Sequence, residues 1–356
     1  MPFLLTSSLN QKAEKMEFVS ENSINHAPGN TQILVIGDAL IDHQYWVERM
    51  PNPGEDTTIL STSTNVGGSA ANTAIALAWL GAPTKFCGTI GRDPDGDLIR
   101  EQMQVVGVDI SGIQFGEVTG FTITMIDGSS ERTMYSLRGS SSNALSVEPD
   151  LLESILNCRI LLTSGYQLLY PDQANMVLSA AERVHAQGNL VALDPSPLIG
   201  DVQPEIRKRI LELTDILLPN RKELALLTEE EDQPAALKKA AQLSKCVVVK
   251  LGSQGAWMSL RKGFQFANAQ RNSDDRIFEA SALKVQAVDT TGAGDSFNAG
   301  FLASFLRGES PESWLKSGNN LAGQVVQHRG AVSMFSSPSQ TSASRNIQII
   351  GENDEK

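Results

Sequence analysis

Short, almost purely apolar runs recur along this 356-residue chain, and longer stretches of helical period separate them. Ile33-Leu34-Val35-Ile36, Ile160–Thr163, Leu190–Leu193, Ile216–Leu218 and Val247–Lys250 are such runs. A strand buried on both faces reads this way, because neither face needs polar side chains. Gln173–Ala186, Glu205–Leu213 and Ala235–Leu243 lie between them and carry apolar residues at helical spacing. The alternation predicts βαβ units, and so a mostly parallel sheet with helices on both faces. The fold class is α/β.

A second pattern has period two and less apolar content. Tyr45–Met50 and Thr57–Ser63 flank the turn-rich Pro51-Asn52-Pro53-Gly54, and Phe121–Ile126 and Glu131–Leu137 are joined through Asp127-Gly128. These predict a small β-sheet, of about residues 44–63 and 116–138, standing off the main body. Such a sheet is marginal alone and must rest on something. Between its halves, a helix opens at Gly67-Gly68-Ser69 and stops at Gly81, Thr84–Ile90 reads as a strand and Asp97–Val106 as a helix. At the far end Leu283–Val288 is strand-like. A helix then opens at Gly292-Ala293-Gly294 and runs through Phe301–Arg307, and Trp314–His328 reads as the closing helix.

Composition narrows the function classes. The formal net charge of -12 and pI near 4.9 argue against a nucleic-acid or anionic-membrane partner. Cys87, Cys158 and Cys246 are far apart and read as small buried residues in a reducing compartment, and the four histidines lack metal-ligand spacing. No apolar run approaches a membrane span, and Met1–Asn30 lacks the pattern of a signal peptide, so a cytoplasmic location is expected. Residues 1–30 and 336–356 read as flexible extensions around one folded domain, 31–335.

The chemistry concentrates where Gly292-Ala293-Gly294 opens a helix. Glycines let backbone N–H groups converge there, and the helix start adds unpaired donors and a partial positive charge. That is an anion site. Asp295 sits at its mouth, either as a first-turn cap or as a base for a hydroxyl attacking phosphate. Asp38 and Asp42 follow the Ile33–Ile36 strand, where open α/β sheets bind ligands, although Asp38 alone also reads as a turn cap. Gly68 and Asn72 open the first helix on one side, with the diglycine allowing close backbone approach. No Gly-Lys pair is present, which excludes a P-loop, and neither a dinucleotide fingerprint nor a nucleophile elbow is found.

Asp289-Thr290-Thr291-Gly292-Ala293-Gly294-Asp295-Ser296-Phe297-Asn298-Ala299-Gly300-Phe301-Leu302 resembles the C-terminal signature of the ribokinase-like, phosphofructokinase-B-type family of sugar and nucleoside kinases. Gly67-Gly68-Ser69-Ala70-Ala71-Asn72-Thr73-Ala74 resembles its N-terminal diglycine motif, and the two together span about Ile33 to Val332. The resemblance implies a three-layer ribokinase-like sandwich whose small sheet is a lid over the acceptor, often shared in a homodimer. It implies ATP-dependent phosphorylation of the hydroxymethyl group of a small sugar. Nucleoside kinases, sugar-acid kinases of ketodeoxygluconate type and a non-catalytic sugar-binding regulator are the alternatives.

Carried over residue by residue, Asp295 is the base and Gly292, Ala293 and Gly294 the anion hole. Asp38, Asp42, Gly68, Asn72, Arg138 and Gln167 would contact the acceptor. Lys250, Gly252 and Gly255 would border the nucleotide, and Asn319 and Ala322 would wall the adenine. Asn220 and Glu223 either form a helix-capping pair or, as in the family, hold water around Mg²⁺. K⁺ would be held by the backbone of Asp289 and Thr291, closed by the Val325–Gly330 turn. Ser69 stands where ribokinase proper has Lys, which disfavours ribose, whereas Arg138 admits an acidic or fructose-like sugar.

Overall fold

The four residues of β1 (Ile33–Ile36) are fully buried, yet they alternate. Ile33 and Val35 join one hydrophobic cluster, and Leu34 and Ile36 join another on the opposite face. The central strand of a three-layer sandwich requires this, because the two-residue period puts successive side chains on opposite faces. The computed structural model describes residues 31–128, 132–264 and 274–335. The expected extensions 1–30 and 336–356, and Glu131 in the predicted hairpin, lie outside the described residues.

Among the described residues the further strands are β2 (Leu40–Val47), β3 (Ile59–Gly67), β4 (Thr84–Gly91), β5 (Asp109–Gly116), β6 (Gly120–Ile126), β7 (Arg132–Leu137), β8 (Ile160–Ser164), β9 (Leu190–Asp194), β10 (Ile216–Leu217), β11 (Cys246–Lys250), β12 (Ala256–Leu260) and β13 (Arg276–Ala280). The helices are α1 (Ser69–Trp79), α2 (Pro94–Val105), α3 (Pro149–Asn157), α4 (Pro171–Ala186), α5 (Pro204–Leu213), α6 (Arg221–Thr228), α7 (Gln233–Ala240), α8 (Ala293–Leu306) and α9 (Pro311–Val325). Proline begins α2, α3, α4, α5 and α9, where its missing N–H leaves no gap and its fixed φ suits the first turn.

The main sheet has the order β13-β12-β11-β10-β9-β8-β1-β4-β5. Pairing is parallel from β11 to β5, and β12 and β13 add an antiparallel edge. Buried residues of α1, α2, α8 and α9 share a cluster with Ile33, and those of α3 to α7 share one with Leu34. The small sheet has the order β3-β2-β6-β7, with β2 and β6 parallel and both outer pairs antiparallel. Its register sets Asp42 beside Thr122 and Thr122 beside Ser136, a polar row across one face.

Three local expectations are corrected. Leu283–Val288 is not a strand. Its apolar members do not enter the sheet: Leu283 and Val288 are exposed, and Leu283 packs on Gly323 instead. The sheet edge is β13, which was not anticipated. Asp109–Gly116 pairs with β4 in the main sheet, so the second half of the small sheet starts at Gly120 and not near 116. The first half begins earlier and ends later than expected, because β2 and β3 continue pairing down to Leu40 and Gly67. The three cysteines are buried and free, and no described helix is long and apolar enough to cross a membrane.

Candidate active site

The carboxyl ends of β1, β8, β9, β10 and β11 open onto one cleft of about 420 Å³, roofed by the small sheet. In open α/β sheets this is where ligands bind, because strand ends leave backbone and loop groups unpaired there. Asp38, Asp42, Gly68, Arg138, Asn220, Glu223, Lys250, Gly252, Gly294 and Asp295 line it, ten of the residues that the sequence singled out.

Asp295 lies in the first turn of α8. The turn before it is possible because Gly292 adopts φ +73, and a Cβ there would lie 2.5 Å from that of Ala331. The carboxylate is held from α1: Ser69 Oγ donates to Oδ1 at 2.7 Å and Asn72 Nδ2 to Oδ2 at 2.8 Å. Gly68, at φ +95, brings that helix start against the Asp38 carbonyl, 2.7 Å from where a Cβ would stand. Burial, and then the negative charge of Asp194, push the Asp295 carboxyl up to about 7, while Asn72, Ser69 and Lys250 pull it down. A carboxylate titrating near neutrality is well matched to taking a proton from a hydroxyl. Asn72 does not line the cleft, and its amide is directed to Asp295 instead.

Asp42 is pushed up to about 6, by burial first and then by Asp38, with Thr122 bonding in the opposite sense. Asp38 pairs with Arg138, whose Nη1 lies 3.1 Å from Oδ2, and Asp38 Oδ1 also faces the Ala70 N–H at 3.4 Å. The Arg138 guanidinium covers the Tyr166 ring at 4.2 Å. Burial, then the Asp38 charge, raise the Tyr166 hydroxyl to about 12.

At the other end, Lys250 Nζ donates to Asp194 Oδ2 at 2.9 Å and to Asn298 Oδ1 at 3.2 Å. Burial opposes its charge, but Asp194 and Glu223 outweigh burial and hold it above the usual lysine range. Asn220 and Glu223 form a reciprocal capping box: Asn220 Oδ1 accepts from the Glu223 N–H at 2.9 Å, and Glu223 Oε2 from the Asn220 N–H at 2.8 Å. The same Glu223 lines the cleft, and burial followed by Asp194 raises its pKa. The side chain that caps α6 therefore also faces the cleft.

Other expected residues do not line the cleft. Gln167 is buried and does not line the cleft; its neighbour Tyr166 does. Asn319 directs its amide to the carbonyls of Ala280 and Ser281 at 3.0 and 3.2 Å, a structural clamp. Gly255, at φ +95, shapes the turn between β11 and β12. Asp289 Oδ1 accepts from Thr291 N and Oγ1 at 2.9 and 2.7 Å, and Oδ2 from the Gly330 N–H at 2.9 Å, which ties the 289–291 loop to the 330 turn. Thr122, Ser136, Tyr166, Asp194 and Ser196 line the cleft without having been singled out. Asp194 carries the signal that flagged Asp38, a polar residue ending a buried strand. Ser196, at φ +61, carries none.

Residues 30–338 match the pfkB family carbohydrate kinase description. A ribokinase of Arabidopsis thaliana is 32% identical over 322 residues, covering 86% of this chain and 78% of that protein. A ribokinase of Haemophilus influenzae is 30% identical over 327 residues, covering 87% and 96%. The solved structure of the Arabidopsis thaliana ribokinase complexed with ribose and ATP is similar with a TM-score of 0.73 at 30% identity, covering 85% of this chain and 94% of that one. The Thermotoga maritima ribokinase gives 0.70 at 27% identity, covering 88% and 98%.

Proposed function

Since this chain belongs to the pfkB family of carbohydrate kinases, we propose that it transfers the γ-phosphoryl group of ATP to the hydroxymethyl group of a small sugar, with Asp295 as base. The observation that carries this reading is the Asp295 carboxylate at the start of α8, held by Ser69 and Asn72. The acceptor lies toward Asp42 and Asp38, and its hydroxyl approaches Asp295. As the oxygen attacks phosphorus in line, its proton passes to Asp295 and ADP leaves. Amides of the Gly292–Asp295 turn, with the helix start behind them, stabilise the charge on the transferring group. Lys250, beside Gly294, adds positive charge to the same end of the cleft. The small sheet roofs the cleft and excludes water that would compete as acceptor.

Glu223 would hold Mg²⁺ through water. The donors fit: Glu223, Asn220 and Asp194 offer oxygen atoms to one end of the cleft, and an ion that keeps most of its waters needs few protein ligands. When bound it would neutralise phosphate charge. K⁺ would rest on the backbone of Asp289 and Thr291. The fit there is the loop clamped side by side with the 326–330 turn, where the Val288 and Asp289 amides meet the Val326 carbonyl at 2.7 and 3.1 Å. The reading includes a homodimer through the lid, supported by Tyr135 and Leu137, which β7 leaves 60% and 47% exposed. The test is acceptor-dependent ADP release from Mg²⁺-ATP over pentoses, ketohexoses, sugar acids and nucleosides. Turnover with a sugar supports the reading, and no turnover with any acceptor removes it.

A further inference from the structure

We propose that the acceptor is an uncharged, polyhydroxylated sugar, and that the Asp38–Arg138 pair makes the cleft reject sugar acids and sugar phosphates. This rests on the kinase reading and concerns which member of its broad substrate class the site admits. From its position after β7, Arg138 looks like a receptor for an anionic acceptor. Its geometry says otherwise. Nη1 is 3.1 Å from the carboxylate of Asp38, which is 2% exposed, and the guanidinium lies over the Tyr166 ring at 4.2 Å. Both its charge and one of its faces are engaged within the protein.

The other cation of the cleft, Lys250, is engaged in the same way by Asp194 at 2.9 Å. Each cation lining the cleft is thus matched to a buried carboxylate, and the carboxylates outnumber the cations. Asp42 and Asp295 remain to meet the acceptor, and the environment of each already disfavours negative charge. At the acceptor end, where Arg138 is the only cation among the lining residues and Asp38 and Asp42 lie close by, a carboxylate or phosphate on the acceptor would add like charge beside a committed cation, which is a strong basis for rejection. Hydroxyl groups have the opposite fit, because ionised carboxylates only accept hydrogen bonds and each sugar hydroxyl can donate one. Thr122 and Ser136 extend the polar lining along the lid without adding charge. Arg138 also joins the lid to the body, since it follows β7 while Asp38 follows β1. The pair is therefore a specificity determinant that never needs to touch the acceptor's anion.

The test compares matched acceptors on the purified full-length enzyme with saturating Mg²⁺-ATP: D-ribose against ribose 1-phosphate, and D-fructose against 2-dehydro-3-deoxy-D-gluconate. The neutral member that turns over should exceed its anionic partner in kcat/KM by roughly a hundredfold or more, as like-charge burial implies. Asp38→Asn releases Arg138 and should narrow that ratio at least tenfold, with anionic turnover rising as neutral turnover falls. Arg138→Met covers the case in which Asp38→Asn does not fold, and it should raise KM for the neutral sugar. If wild-type enzyme uses an anionic acceptor as well as its neutral partner, or if Arg138→Met loses only anionic turnover, the charge rule is overturned and the kinase reading stands. Turnover of no acceptor in either class removes the kinase reading and this inference with it.

Discussion

Asn72 on α1 donates its amide to Asp295 on α8 across 2.8 Å of space and 223 residues of chain. With Ser69 on the other oxygen, this fixes the carboxylate in one orientation at the mouth of the anion site. Asp295→Asn is nearly isosteric and should leave the fold and ATP binding in place. It should lower kcat by roughly two to four decades, the usual contribution of a positioned general base. Steady-state kinetics on the best acceptor check this, and near-wild-type turnover would end the base assignment.

The pKa of Asp295 predicts two pH dependences of opposite sense. The base acts when deprotonated, so kcat/KM should fall as pH drops through about 7. Stability should move the other way. The folded protein binds the proton more tightly than the unfolded chain, so between the unfolded value of 3.8 and about 7 stability declines as pH rises. Asp42, raised to about 6, and Glu223, also raised, act in the same sense. Asp295→Asn should therefore raise Tm at pH 8 and change it little at pH 4. The rise from 3.8 to about 7 sets an upper bound of roughly 4 kcal/mol, lowered by the part of the side chain that meets cleft water. Thermal melts of both proteins across pH 4–8 decide it: a variant less stable at pH 8 contradicts the argument.

Asp42→Ala should act on binding and not on the chemical step. Its carboxylate faces the acceptor end beside Thr122, and a hydrogen bond to a charged group contributes about 1.5–3 kcal/mol, or roughly a tenfold to hundredfold rise in acceptor KM. The KM for ATP should hold. In the wild type, acceptor KM should also rise below about pH 6, as Asp42 gains a proton and loses acceptor capacity. An acceptor KM unchanged by Asp42→Ala places the residue outside the pocket.

The layers of the fold were legible because buried strands announce themselves. The alternation that sends Ile33 and Leu34 to opposite clusters is hidden in a run that simply looks apolar. The anion-site residues were legible because Gly292 and Gly68 must take conformations that other residues avoid. What escaped is tertiary in origin. Leu283–Val288 has strand composition, but β13 already occupies the sheet edge. Asp109–Gly116 carries little apolar signal because an edge strand has one open side. Arg138 and Lys250 were readable as cations near a ligand, but not as cations already matched to Asp38 and Asp194. Ser69 departs in sequence from ribokinase proper, and its hydroxyl on Asp295 gives that departure a structural role.

Gly292→Ala tests the backbone of the anion site separately from its carboxylate. The residue has φ +73, and an added Cβ would overlap Ala331, whose Cβ would be 2.5 Å away. The left-handed conformation alone disfavours Ala by about 1 kcal/mol, and the overlap adds to it. Tm should drop, and kcat should fall further than the loss of stability explains, because the first-turn amides of α8 would be displaced from the transferring group. A variant that melts lower but keeps full kcat would show that the turn tolerates the shift and that its amides are not critical.

Asp289 binds both Thr291 and Gly330 through its side chain, and the Val288 and Asp289 amides meet the Val326 carbonyl, so the 289–291 loop and the 326–330 turn are already held side by side. A loop whose N–H groups face the anion site turns carbonyls to its other side, and gathered carbonyls repel one another unless a cation lies among them. A large, weakly hydrated ion suits such a site better than a small one, because less hydration is lost on entry. K⁺ should therefore raise kcat severalfold by ordering the loop, with little effect on acceptor KM, since neither Asp289 nor Thr291 lines the cleft. Turnover with saturating Mg²⁺-ATP in Tris buffer should be compared in KCl, NaCl and tetramethylammonium chloride at equal ionic strength. Higher kcat in KCl alone supports the site. Equal rates in all three salts would mean that the Asp289 side chain and the Val326 carbonyl order the loop unaided, leaving the cation no role.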